Sequence, residues 1–112
     1  PKLVYTVAGH LGDGNFHIIP LMDMQKKESK DIIFDLLKEV HELVFQYGGS
    51  MTAEHNDGII RTPFLKDMYG QEVCDLFLKT KEAFDPKNIL NPGKKVRGDL
   101  FYAFSHIPAK NK

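Results

Sequence analysis

Asp13-Gly14 stands between two runs of strand-forming residues, 3–7 (Leu-Val-Tyr-Thr-Val) and 16–19 (Phe-His-Ile-Ile). Such a pair predicts a hairpin, because a two-residue type I′ turn needs positive φ at both central positions and Asp-Gly supplies it readily. With Asp13-Gly14 at the turn centre, Gly12 lies opposite Asn15, Leu11 opposite Phe16 and His10 opposite His17. Directly opposed side chains share a face, their Cβ atoms about 4.5–5.5 Å apart. Two imidazoles so placed can reach one metal ion. The pleat predicts a core face of Leu3, Tyr5, Val7, Leu11, Phe16, Ile18 and Met22. The opposite, site-like face carries Val4, Thr6, Ala8, His10, Asn15, His17 and Ile19. A bulged turn would slip the register by one and undo this sorting. The plain alternative to a metal site is a structural histidine pair on a solvated face.

A chain of 112 residues predicts one domain, 1–112, with room for a core. Fifteen basic and fifteen acidic residues cancel, so neither a nucleic acid nor an anionic membrane is an expected partner. No apolar run has transmembrane length and no signal peptide is visible. The lone Cys74 leaves no internal disulfide and fits a reducing, cytoplasmic setting. The opening at Pro1, with strand residues following at once, predicts a piece cut from a longer protein.

Beyond the hairpin, Ile32, Ile33, Leu36, Leu37, Val40, Leu43, Val44 and Tyr47 recur at helical spacing, with Ser29 as the expected N-cap and Gly48-Gly49 as the stop. His41 falls off this stripe and is expected to be solvated. Residues 50–53 are expected as a short strand and Asn56-Asp57-Gly58 as a turn. Glu54 and His55, adjacent on an extended backbone, would point different ways; with two further histidines they can complete a His₂-carboxylate ligand set. Thr62-Pro63 predicts the start of a short helix ending near Tyr69, broken at Gly70. A long helix follows with Val73, Leu76, Phe77, Thr80 and Phe84 inward, ending at Asp85-Pro86. Lys94, Lys95 and Arg97 are expected as a solvated patch, and the aromatic tail of Phe101, Tyr102 and Phe104 as packed somewhere on the fold. This order predicts an α+β architecture, an antiparallel sheet with helices on one face.

Gly-His-Leu-Gly-Asp-Gly-Asn-Phe-His (9–17), Ala-Glu-His-Asn-Asp-Gly (53–58) and Ala-Phe-Asp-Pro-Lys-Asn-Ile-Leu-Asn-Pro-Gly-Lys (83–94) together resemble the C-terminal region of the FAD-linked oxidases. These include D-lactate dehydrogenase, D-2-hydroxyglutarate dehydrogenase and the flavin subunit of glycolate oxidase. The resemblance implies a fragment of a larger flavoprotein, a ferredoxin-like half whose FAD-binding domain lies elsewhere, and a 2-hydroxy acid substrate. It implies His10, His17 and Glu54 as ligands of a divalent metal, zinc or another transition metal, and His55 as the base near the substrate hydroxyl. Asn91 matches a residue lying against the flavin. Arg61 is implied as a contact of the substrate or the flavin, and Asn15, on the site face, as a substrate contact.

Two positions depart from the family pattern. Asn56 stands where Gly is usual after Glu-His, and Ile19 stands where the 2-hydroxyglutarate enzymes carry an asparagine. No glycine-rich stretch able to cradle a pyrophosphate occurs in the chain. The rival readings are an α+β metal- or ligand-binding module with no flavin, and an interaction domain whose motifs have lost function.

Overall fold

The computed structural model describes residues 3–107, so the ends of the expected 1–112 domain lie outside the described span. Strands β1 (Tyr5–Ala8) and β2 (His17–Pro20) pair antiparallel. Four helices follow among the described residues: α1 (Lys27–Gln46), α2 (Gly58–Arg61), α3 (Leu65–Phe84) and α4 (Leu100–Ser105). The class is α+β, as expected.

The hairpin reverses differently from expectation. Leu11–Asp13 form a 3-10 turn, in which Asp13 and Asn15 N–H donate to the His10 carbonyl (2.9 and 3.2 Å) and Gly14 N–H donates to Leu11 (3.0 Å). Gly14 takes φ 68° while Asp13 avoids the left-handed region that a type I′ turn would have forced on it. Gly9, at φ 141°, brings the backbones so close that a Cβ there would lie 2.7 Å from the Asn15 carbonyl oxygen. The ladder therefore runs Tyr5↔Pro20, Thr6↔Ile19, Val7↔Ile18 and Ala8↔His17, and His17 opposes Ala8 rather than His10. Because the slip is two residues, the sorting of the paired positions survives: Thr6, Ala8, His17 and Ile19 share one face. The expected core face does not close. Tyr5 and Val7 stay 58% and 49% exposed, and Leu11 and Phe16 are exposed as well.

Helix α1 begins at Lys27 rather than beyond Ser29, which is buried in the first turn instead of capping it. Gly48 at φ 68° ends it, with Gly48 and Gly49 N–H donating to Phe45 and Val44 carbonyls. The helix has two apolar faces. The expected Ile/Leu/Val stripe lines an open cleft, whereas Phe34, His41 and Phe45, spaced seven and four residues apart, turn toward the buried cluster of Met51, Phe64 and Leu65. His41 is thus not solvated but 5% exposed, edge-on to Phe64 with ring centroids 4.8 Å apart.

Its burial has a consequence for stability. Loss of solvent first, and the Arg61 guanidinium second, push the His41 imidazole below its ordinary 6.5, against an upward pull from Asp67. Below pH 6.5 the unfolded chain therefore binds a proton that folded His41 refuses. Stability falls as pH drops from 6.5 toward the lowered pKa, and this contribution is flat above it. Melting temperatures recorded downward from neutral pH are expected to show that slope, and His41→Leu is expected to remove it. Parallel curves for the two proteins would contradict the assignment.

Residues 50–53 form a bend running into a turn rather than a strand, because the Ser50 hydroxyl accepts the Thr52 N–H (3.2 Å) and bonds the Thr52 hydroxyl (2.7 Å). Gly58 at φ 58° opens α2, and residues Thr62–Phe64 continue as a 3-10 turn into α3. Thr62 does not cap forward; its hydroxyl donates back to the Gly58 carbonyl (2.5 Å). Gly70 (φ 79°, ψ 167°) breaks α3 as expected, and the helix ends at Phe84 before Asp85-Pro86. Its inward face is narrower than expected, since Val73 and Phe77 are half-buried but Leu76 and Phe84 are exposed.

The segment after α3 is pinned by Asp85. Its carboxylate accepts from Lys81 Nζ, Ile89 N–H and Leu90 N–H (2.5, 3.0 and 2.9 Å), and the Lys81 bond leads in holding its pKa down to about 2. The aromatic tail packs only in part through α4: Asp99 caps it at Tyr102 N–H (2.7 Å), Tyr102 lies over Gly93 and Phe104 meets Phe34 with centroids 5.7 Å apart, whereas Phe101 points outward, 84% exposed.

Candidate functional site

His17 opens β2, and Asn15 precedes it at the close approach made by Gly9. His10 sits outside the ladder, where the 3-10 turn begins. Glu54 and His55 come from the turn after buried Met51, where Ala53 takes φ 42° and His55 N–H donates to the Thr52 carbonyl (3.0 Å). Asn56, at φ 59°, holds the left-handed conformation that glycine would otherwise supply, and asparagine is among the few residues that do so at small cost.

These segments meet at one carboxylate. Glu54 Oε1 lies 3.3 Å from His17 Nε2 and 3.1 Å from His55 Nε2. Glu54 Oε2 lies 3.4 Å from His10 Nε2 and accepts from Asn15 Nδ2 at 2.5 Å. The His17 and His55 rings are tilted with centroids 4.9 Å apart. Burial pushes the Glu54 carboxyl up, but His10, His55 and the hydrogen bonds of Asn15 and His17 outweigh it and hold it below the usual carboxylate range. The cluster is graded in exposure, from His17 at 25% to His10 at 69% of the side chain, so one side stays open to solution. His17, Glu54 and His55 each offer a ligand atom within 4.8 Å of the others, and His10 reaches the same carboxylate from the turn. Imidazole nitrogens with one carboxylate oxygen are a donor set suited to zinc and neighbouring transition metals.

The other expected site residues lie apart from this carboxylate. Arg61 is half-buried, and its NH1 donates to the Asn56 carbonyl (2.9 Å). It lines a cleft of about 670 Å³ between β2 and α1 whose walls include Phe16, Ile18, Leu37 and Val40. Asn91 is exposed at φ 46° in the segment that Asp85 pins. Ile19, 45% exposed, shares the face of His17.

The residue patterns missed the ionic contacts of the basic run. Arg97 NH2 reaches Glu82 Oε1 at 2.5 Å. Lys95 keeps 40% of its side chain exposed but pairs with Asp57, Nζ to Oδ2 at 2.6 Å, and the Asp57 side chain is 1% exposed. A separation of 38 residues leaves no local signal for such a pair.

The family model described as "FAD linked oxidases, C-terminal domain" matches residues 2–95. The chain is 37% identical over 91 residues to glycolate oxidase subunit GlcD of Bacillus subtilis, an alignment covering 81% of this chain and 19% of that protein. It is 34% identical over 98 residues to D-lactate dehydrogenase (cytochrome) 1, mitochondrial, of Saccharomyces cerevisiae, covering 88% and 16% respectively. It is 35% identical over 92 residues to D-2-hydroxyglutarate dehydrogenase of Escherichia coli, covering 82% and 9%. The chain thus spans less than a fifth of these curated relatives. No solved structure matches.

Proposed function

The chain belongs to the FAD-linked oxidase C-terminal domain family, and from that premise we propose that residues 1–112 form one unit supplying the metal and substrate side of an enzyme that oxidises a D-2-hydroxy acid. The observation that carries this reading is the Glu54 carboxylate bracketed by His10, His17 and His55. The relatives' names, for glycolate, D-lactate and D-2-hydroxyglutarate, share a 2-hydroxy carboxylate.

In this reading His10, His17 and Glu54 hold a divalent metal, which when bound lowers the pKa of a coordinated substrate hydroxyl. A neutral His55 keeps one ring nitrogen toward Glu54 and offers the other to the hydroxyl proton. Asn15 steadies the carboxylate at the substrate's edge. Arg61 has donors left over after its bond to Asn56 and suits the substrate carboxylate. FAD, held mainly by an N-terminal FAD-binding domain of the same longer chain, would supply the acceptor for the hydride leaving the substrate Cα; Asn91, exposed on its pinned segment, would lie against it. Among the described residues no helix is long and apolar enough to cross a membrane. With the single Cys74, the cytoplasm is the proposed location.

One observation favours a variant of this reading. The tightest donor set is His17, Glu54 and His55, which would make His55 a ligand in place of His10.

The test is chelation of the full-length flavoprotein. Bleaching of its flavin by a D-2-hydroxy acid is expected to collapse as metal is stripped and to return with added zinc or manganese. Full-rate bleaching by the stripped protein would sink the metal assignment, and no bleaching by any 2-hydroxy acid would favour the module without flavin chemistry. The 112-residue chain alone is expected to be colourless in the visible, since Asn91 offers only one side of a flavin site; near-stoichiometric flavin absorbance would refute that.

A further inference from the structure

Asp57 and Lys95 carry more constraint than a surface ion pair needs. Asp57 is 2% exposed, and among the described residues Lys95 is its salt-bridge partner, while Oδ1 is buried without a partner. Burying a carboxylate beside a single ammonium is a poor route to stability, because desolvation offsets most of the attraction; its best-attested use is to fix one arrangement. Lys95 adopts φ 67°, a strained conformation for a side chain of its kind. Its N–H donates to Thr62 Oγ1 (2.8 Å), whose hydroxyl donates in turn to Gly58. Lys95 is therefore tied to the 57–62 segment by backbone and side chain at once. Its ammonium lies 4.7 Å from the Phe77 ring centroid and 5.8 Å from that of Tyr69, walls that confine it.

The segment on the other side has no slack. A Cβ at Gly93 would fall 2.3 Å from the Tyr102 ring, and one at Gly98 would fall 2.4 Å from the Gly93 carbonyl oxygen. The one bond from the buried Asp57 carboxylate among the described residues thus falls on the end of this tightly packed 91–95 segment. Along the chain Asp57 lies three residues from Glu54 and two from His55, and Lys95 lies four from Asn91. Neither side chain bonds to Glu54 or to its imidazoles among the described residues, so any influence on them runs through position.

We propose that Asp57 and Lys95 are a positioning clamp that sets the turn bearing Glu54 and His55 in register with the segment bearing Asn91. The clamp rests on the functional reading above. It acts on geometry at the reacting centre, so its removal lowers kcat and metal affinity while leaving substrate KM near its value.

The experiment compares Lys95→Met, Lys95→Arg and Asp57→Asn with the unaltered full-length flavoprotein. Cobalt(II) titration with its visible spectrum reads the ligand cluster, and stopped-flow flavin reduction separates kcat from KM. Lys95→Met is expected to weaken cobalt binding and to lower kcat by up to about 10²-fold, the scale of a 1 Å misplacement of reacting groups. Lys95→Arg, which keeps the charge, is expected to restore both. A folded Lys95→Met with cobalt affinity and kcat unchanged overturns the clamp, as does a loss confined to melting temperature. Where Lys95→Met does not fold, Asp57→Asn, which preserves side-chain shape, is judged by the same two readouts. An unaltered protein that binds no cobalt defeats the metal reading instead, and the clamp is then decided on kcat alone.

Discussion

His55→Gln in the full-length flavoprotein is expected to slow flavin reduction by a D-2-hydroxy acid about 10²–10⁴-fold, the range that a positioned proton acceptor contributes, while metal stoichiometry holds. Glu54→Gln is expected to lose both. The difference follows from the geometry: Glu54 is the group that His10, His17, His55 and Asn15 all face, so removing its charge dissolves the cluster. His55 contacts that carboxylate from the open side, with 59% of its side chain exposed, and its loss leaves His10 and His17 in place. Metal content by atomic absorption and single-turnover bleaching, measured on the same samples, separate the roles. A His55→Gln protein as depleted of metal as Glu54→Gln would make His55 a ligand, in keeping with its place in the tightest donor set. Undiminished bleaching in both variants would reduce the whole cluster to a structural role.

Local rules reached the helices and stopped at features set by distant neighbours. The end of α1 at Gly48 and the break at Gly70 follow from glycine's backbone freedom, the stop before Pro86 from proline's missing N–H, and each was legible. The turn was not, because Asp13-Gly14 signals a two-residue reversal while the close backbone approach at Gly9 favours a wider one. The four residues that surround Glu54 were legible as chemical types in two motifs, yet the arrangement of His17 opposite Ala8, with His10 reaching in from the turn, depends on that wider reversal. His41 misled because a helix can bury a second face: its neighbours at that face are Phe34 and Phe45, and the surface they meet comes from Met51, Phe64 and Leu65. Lys95 misled because a basic run reads as solvated until Asp57 is brought beneath it.

Leu65→Ala is expected to cost about 2–5 kcal/mol of unfolding free energy, whereas Leu76→Ala is expected to fall within about 0.5 kcal/mol of the unaltered chain. A helical wheel ranks them the other way, since Leu76 sits on the periodic stripe of α3 and Leu65 stands at its first turn. Burial decides: Leu65 is 2% exposed against Met51 and Phe64, with Phe34, Phe45, Met68, Cys74 and Leu100 around it, and Leu76 is 58% exposed. The cluster is small, so a loss of this size is a large share of the roughly 5–15 kcal/mol by which native domains are stable. Leu65→Met, which nearly conserves volume, is expected to cost less than about 1.5 kcal/mol. Urea unfolding of the three variants measures the ranking. Met51 links this core to the site, lying three residues before Glu54 and packing on Leu65. Leu65→Ala is therefore also expected to weaken metal binding, and Leu76→Ala to leave it alone. An equal loss of stability from Leu76→Ala would mean that the outer face of α3 is covered in the folded protein, and the core would have to be redrawn to include it.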